Sequence, residues 1–281
     1  MKKYSIFWNF GWLYLIVMPA FAQSILDPVA AAYPVTGNWN KPGCAVWTAM
    51  LNPALIVREQ QTKIGLYTER RFLLQELAQY RLALMVPGAS AGWGLEFIRG
   101  GFQASYEQRL RGMYSYRLGK QLTTGIAFDF WQLSQTGQKS SRVISGALGF
   151  LYQLSEDWSF ACLLANPVRS GTGALALNNR WTGRAGIAFQ ASDQTGIQAE
   201  IFHEQFSGTT WQCSLEYDPV PFLFFRSGIR GSTGLYWAEA GFVKPGYTLG
   251  VTGSYHPDLG WSPGFNLVFN WKTKKTYPID E

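Results

Sequence analysis

The sequence predicts an all-β fold: a transmembrane, antiparallel, up-and-down β-barrel of about 14 strands with an N-terminal helical hatch. Three observations carry this. From Thr62 onward, apolar and polar residues alternate with a period of two in segment after segment. Such alternation marks strands whose two faces meet different surroundings. Aromatic content is high at 16%, charged content is low at 15%, and mean hydropathy is -0.06. An alternating barrel hides its apolar residues from that average. Finally, short turns fall at one end of the strands and longer loops at the other, as in bacterial barrels. A secreted soluble all-β protein is the alternative, but a sandwich does not need its two ends to differ.

The clearest stretch is Leu235 to Trp271. In its middle strand Tyr247, Leu249, Val251, Gly253 and Tyr255 share one face, and Thr248, Gly250, Thr252, Ser254 and His256 the other. In its last strand Phe265, Leu267, Phe269 and Trp271 alternate with Gly264, Asn266, Val268 and Asn270. Aromatic residues at both ends of an apolar face are what a lipid-facing strand carries.

Taken in order, residues 1–22 read as a signal peptide. Lys2 and Lys3 form a positive start, Phe7 to Met18 an apolar stretch, and Ala20-Phe21-Ala22 a cleavage site. A membrane anchor is the other reading, but the run is short and holds Asn9. Residues 23–61 form an irregular lead-in and a hatch. Within them Gly43 to Gln60 is Ala-rich and lacks alternation, predicting a helix over Ala45–Met50, a break at Asn52-Pro53 and a further helical turn. This segment is too apolar to stand alone in water, which places it inside or under the barrel.

The barrel spans 62–272 and a polar tail 273–281. Strands are expected near 62–74, 79–87, 91–101, 105–118, 122–133, 141–154, 158–166, 181–192, 195–206, 209–217, 222–231, 235–244, 247–256 and 263–272. With both termini in the periplasm, the periplasmic turns fall near Pro87-Gly88, Gly119-Lys120, Glu156-Asp157, Asp193-Gln194, Asp218-Pro219 and Pro245-Gly246. The longer loops, near 134–141, 167–180 and 257–262, lie on the opposite side.

Strand parity places Glu69, Arg71, Glu96, Glu107, Arg109 and Arg111 on the lumen face, with Asp129, Glu200, Glu204, Arg226, Arg230 and Glu239. Buried charges need partners, so these residues either pair structurally or form a charged constriction or gate. Phe222 and Phe224 share the inner parity with Arg226, which suggests an apolar pocket beside the hatch or aromatic filler.

Several functions find little support. The formal charge is +6, of which Lys2 and Lys3 supply two, too mild to indicate nucleic acid. Cys44, Cys162 and Cys213 are odd in number and widely spaced, so neither a disulfide framework nor a metal site is expected. Parity puts Cys213 and His203 on the lipid face. His256 shares a face with Ser254, but the neighbouring lumen acid Glu239 pairs about four residues away, so no Ser–His–acid set forms. Gly92-Trp93-Gly94 lacks the third glycine of a phosphate loop. No enzyme activity and no cofactor are expected.

Asn52-Pro53-Ala54 in an Ala-rich plug ahead of about fourteen strands resembles the NPA box of the FadL superfamily of outer-membrane proteins. The short loops, the Ala22-Gln23 junction and the stretches SYRLGKQLTTGIAF and YHPDLGWSPGF look more like its PorV/PorQ branch. The resemblance implies a bacterial outer-membrane location and lipid as a partner. Its PorV/PorQ side implies an accessory for type IX-like export and surface attachment, binding secretion-system proteins or exported cargo. Its FadL side implies a channel for small hydrophobic ligands, past a hatch and through a side opening. This chain is shorter than both and lacks long outer loops.

Overall fold

The computed structural model describes residues 26, 29–30, 33–37, 45–172, 180–205, 207–231 and 234–271. The expected signal peptide, Cys44 and the tail lie outside them.

Fourteen strands form one closed barrel in which each pairs antiparallel with its sequence neighbours and the last returns to the first. They are β1 (Thr62–Arg70), β2 (Ala78–Val86), β3 (Ala91–Phe102), β4 (Ser105–Arg117), β5 (Leu122–Gln135), β6 (Ser141–Gln153) and β7 (Trp158–Thr172). The second half comprises β8 (Thr182–Ser192), β9 (Thr195–Glu204), β10 (Gly208–Val220), β11 (Leu223–Arg230), β12 (Leu235–Lys244), β13 (Tyr247–His256) and β14 (Gly260–Trp271). Closure leaves no unpaired sheet edge. The end where β1 starts and β14 finishes is called the base here, and the other end the rim.

Alternation holds as expected. In β5, Ile126, Phe128 and Phe130 are exposed outward while Gly125, Ala127, Asp129 and Trp131 are buried inward. In β13, Tyr247, Val251 and Tyr255 face out and Thr248, Gly250, Thr252 and Ser254 face in. Cys213 and His203 are exposed on the outward side. Because a strand's period is two, the register of each strand sends alternate residues outward and inward.

The departures from expectation have local causes. β1 ends at Arg70 rather than near 74. Phe72 and Leu73 take positive φ of 52° and 60°, and the backbone leaves the sheet in two tight 3-10 turns, Arg71–Leu73 and Gln75–Leu77. Arg71 is therefore a turn residue, though its side chain still points inward. β7 runs on to Thr172, into what reads as a loop. Its pairing with β6 slips between Ser145 and Ala147, and Asn166 sits at φ 56° before Pro167. A proline has no N–H for the ladder, and β7 pairs with β8 only up to Ala165. Asp218 and Pro219 lie within β10, across another slip, so the turn to β11 falls at Pro221-Phe222. Phe222 is thus 57% exposed and does not lie on the inner face.

Inside the wall sit the described residues of the N-terminal segment. Its helix α1 (Ala45–Leu51) packs against β1, β2 and β3. The next turn, a 3-10 helix over Pro53–Arg58, packs against β3, β4, β5 and β6. Ahead of them, Leu26 lies near the rim with Ile98, Trp131 and Val143. Tyr33 and Val35 lie lower, in the main core with Trp47, Met50 and Tyr67. The described plug residues thus reach from near the rim, at Leu26, toward the base, where Arg58 donates to Gln121 O.

Candidate functional site

Three sets of inward side chains hold the plug, and each answers the same need. A helix-poor segment inside a barrel brings backbone N–H and C=O groups that no sheet satisfies, and the wall's buried charges need partners.

Glu69, near the rim of β1, is the first. Its carboxylate accepts the backbone N–H groups of Val29 at 3.0 Å and Ala30 at 2.9 Å, the Tyr67 hydroxyl at 2.8 Å and Arg71 Nε at 3.0 Å. Four donors converge on one buried acid, so its charge is matched by plug and wall together.

The second set is a ladder across β2 to β5. Arg81 lies 3.6 Å from Glu96, Glu96 is 2.8 Å from Arg109, and Arg109 is 3.7 Å from Asp129. Asp129 then takes a fork from Arg111, at 2.6 Å to Nε and 2.8 Å to Nη2. The ladder reaches the plug at two carbonyls: Arg81 donates to Leu26 O at 2.7 Å and Arg111 to Met50 O at 2.9 Å. Arg109 also stacks over Trp131, 4.8 Å from the ring centre.

Across the lumen, Glu200 on β9 accepts the N–H of Val35 at 2.7 Å and pairs with Arg184 at 3.3 Å. Arg226 bridges Glu216 at 2.8 Å and Glu239 at 3.4 Å, while Asn266 donates to Glu239. Phe224 is 2% exposed beneath Arg226, whose guanidinium lies 4.3 Å from its ring centre. Phe224 therefore stands on the inner face as expected, stacked under a cation, and the Phe222–Phe224 pocket does not form.

Glu107 and Glu204 lie on the inward parity but near the rim and only half-buried. Arg230 is also half-buried, 3.2 Å from Gln212 Oε1, and shares the Phe202 ring with Arg184. Sequence reading missed Arg81, Arg184 and Glu216. The signal was present: each alternates with outward neighbours, as Arg81 does with Tyr80 and Leu82.

The NPA box is seated on the wall by glycine. Asn52 caps the turn after it, its Oδ1 accepting the Ala54 N–H at 3.2 Å. Its Nδ2 donates to Val35 O at 3.1 Å and Phe150 O at 3.4 Å, tying both limbs of the plug to β6. Beneath it Gly125 and Gly149 are cross-strand partners. A Cβ on Gly125 would stand 2.5 Å from the Pro53 carbonyl carbon, and one on Gly149 would enter the Asn52 carboxamide. A Cβ on Gly65 would likewise meet Val46 at 2.7 Å. These strand glycines make room for the plug.

Small, partly open pockets of about 20 Å³ lie beside the plug at two places among the described residues. One lies near the base by Gly37 and Gln198, the other between Tyr33 and the Arg226–Glu216 pair. Each has room for about one water. Among the described residues neither histidine joins an acid–nucleophile set: His203 faces outward, 2.9 Å from Thr209 Oγ1, and Glu239 pairs with Thr252, four positions from His256.

No family model matches the sequence, and no curated protein matches it. Solved structures do share the fold. The toluene transporter TbuX of Ralstonia pickettii aligns at a TM-score of 0.57 and 12% identity, over 86% of this chain and 96% of that one. A FadL homologue of Pseudomonas aeruginosa gives 0.60 at 9% identity, over 86% and 99%. The toluene transporter TodX of Pseudomonas putida gives 0.58 at 11%, over 89% and 96%. At these identities the likeness is one of fold.

Two substitutions test the seat and the ladder. Gly125→Val should lower stability by about 1–3 kcal/mol through overpacking, while Gly112→Val, with open space around its Cβ, should leave it unchanged; denaturant unfolding in detergent reads both. Asp129→Ala should cost about 3–5 kcal/mol in the same assay, because the buried Arg111 guanidinium loses its carboxylate.

Proposed function

We propose that this chain is a bacterial outer-membrane barrel that admits small hydrophobic molecules past a displaceable plug. The observation that carries this reading is an apolar strip on the inner wall behind the plug. Tyr67, Met85, Met113, Leu151 and Leu163 face inward there, in one cluster with plug residues Trp47, Met50 and Ile56. Toward the rim, Ile98, Trp131 and Val143 extend apolar surface around Leu26. A water-filled pore for polar solutes has no use for such a strip, whereas an apolar solute replacing the plug keeps it covered. The outward face supports the membrane location: it exposes Leu66, Leu82, Phe97, Phe130, Phe242 and Phe265 to the surroundings, a band that water would not tolerate. The base, with both ends of the sheet, would then face the periplasm. The toluene transporters of like fold carry cargo of the proposed kind.

A second reading keeps the lumen shut and gives the barrel a docking role in type IX-like export. The charge ladder, which ties the wall to the plug, favours it. None of the solved structures named above bears on that role, and the apolar strip has no part in it.

Locking the plug separates the two. With the native cysteines replaced by serine, Val46→Cys and Gly65→Cys should form a disulfide across the plug–wall contact. Oxidation should then stop uptake of radiolabelled toluene, and dithiothreitol should restore it. Uptake that is the same locked and unlocked counts against the plug as gate; absent uptake together with recovery of secretion components from the native membrane favours docking. The membrane assignment has its own test: Phe128→Arg, at an outward mid-strand position, should cost about 2–4 kcal/mol in a bilayer, read by unfolding in lipid vesicles.

A further inference from the structure

The outward face of β1 to β6 sorts its charges by sign. Every acid in these strands, Glu69, Glu96, Glu107 and Asp129, lies on the inward parity. The outward positions near the rim carry Arg70, Arg99 and Arg142 and no acid. Register then aligns two of these cations. Arg99 on β3 pairs with Gln108 on β4, Gln108 with Gln132 on β5, and Gln132 with Arg142 on β6. All four point outward in one continuous row. Two residues toward the base, Phe97, Leu110, Phe130 and Ile144 form the next outward row in the same register, and all four are exposed. A cationic and amide row therefore sits directly above an apolar one.

The polar row is organised. The Gln108 and Gln132 side chains bond to each other at 3.2 Å, and the Arg99 guanidinium rests 4.3 Å from the centre of the Tyr106 ring. Among the described residues neither Arg99 nor Arg142 has an ion pair, although acids on the inner wall pair with arginine repeatedly. An exposed arginine at the edge of an apolar band is placed to meet the anionic headgroup of a lipid lying over that band. Arg99 and Arg142 stand three strands apart, roughly 14 Å at the usual strand spacing, a span that a phosphorylated disaccharide can bridge with one phosphate at each end.

We infer that the outward face of β3–β6 is a binding site for a phosphorylated glycolipid of the outer leaflet. Its phosphates meet Arg99 and Arg142, its sugar hydroxyls meet the Gln108–Gln132 pair, and its acyl chains lie over Phe97, Leu110, Phe130 and Ile144. This rests on the reading that the outward face meets lipid with the rim outermost, but not on any transport through the lumen.

Native mass spectrometry of the full chain released from detergent micelles tests it, with bis-phosphorylated lipid A as the probe. The expected result is a retained lipid A adduct that falls on the order of tenfold in affinity in the double variant Arg99→Gln, Arg142→Gln. The double variant Arg99→Lys, Arg142→Lys should retain most of the binding, which guards against a loss through misfolding, as does unchanged heat-dependent migration of the barrel in gels. Dephosphorylated lipid A should bind weakly, and inorganic phosphate should not compete at equal concentration. Equal affinity in wild type and the glutamine variant, equal binding of the dephosphorylated lipid, or displacement by inorganic phosphate alone would each overturn the site. Toluene uptake in the glutamine variant separates the two proposals: uptake that persists when lipid A binding was never present sinks this site alone, whereas loss of the barrel's heat-dependent migration in the wild type sinks the membrane reading beneath both.

Discussion

The structure depends on one constraint: no polar group enclosed by the wall has bulk water to turn to. The wall alternates, so its inner face carries the ionised side chains, and the plug arrives with unsatisfied backbone. Each side supplies what the other lacks. Glu69 takes two plug N–H groups and Glu200 a third, while Arg81 and Arg111 reach plug carbonyls. Removing one member strands its partner in a medium where an unpaired charge costs several kcal/mol. Wall and plug are for this reason one network, and the plug's path from rim to base follows the positions of those side chains.

The same network limits how the barrel could work. Its polar ties lie at discrete points, and between them the described contact of plug and wall is apolar, over Trp47, Met50, Met85 and Met113. Apolar contact is non-directional, so it can be exchanged for contact with an apolar solute at little net change. Arginines that lose plug carbonyls keep their carboxylate partners within the wall, as Arg111 keeps Asp129. The plug is thus held by interactions whose loss leaves the wall's own ion pairs whole, which is what displacement without collapse requires. Outside, the separation of charge follows from the same alternation: acids in β1–β6 stay where arginine can reach them, and the outward arginines lie only near the rim.

Much of this was legible in the chain. A period of two is a strong signal, and β5 and β13 could be assigned to faces residue by residue because their neighbours alternate without interruption. The lumen charges followed from parity. What parity could not supply was where it breaks. Phe72 and Leu73 leave the strand through positive φ, a conformation that favours glycine and that their side chains do not announce. Pro167 and Pro219 read as loop formers, yet both lie inside strands at irregularities, where the missing N–H costs nothing. One shifted turn moved Phe222 from the inner face to the base. Partners were harder still. That Asn52 lies over the Gly125–Gly149 pair depends on where a plug distant in sequence comes to rest against the β5–β6 hairpin, which a local pattern does not encode.

The central claim is that plug and wall form a single hydrogen-bonded body, and backbone hydrogen exchange on the folded barrel in detergent tests it most directly. The account predicts that the amides of Val29, Ala30 and Val35, and those of the turn after Asn52, exchange as slowly as amides in the surrounding strands. Exchange of these plug amides at the rate of an unstructured peptide, while the wall stays protected, would contradict it.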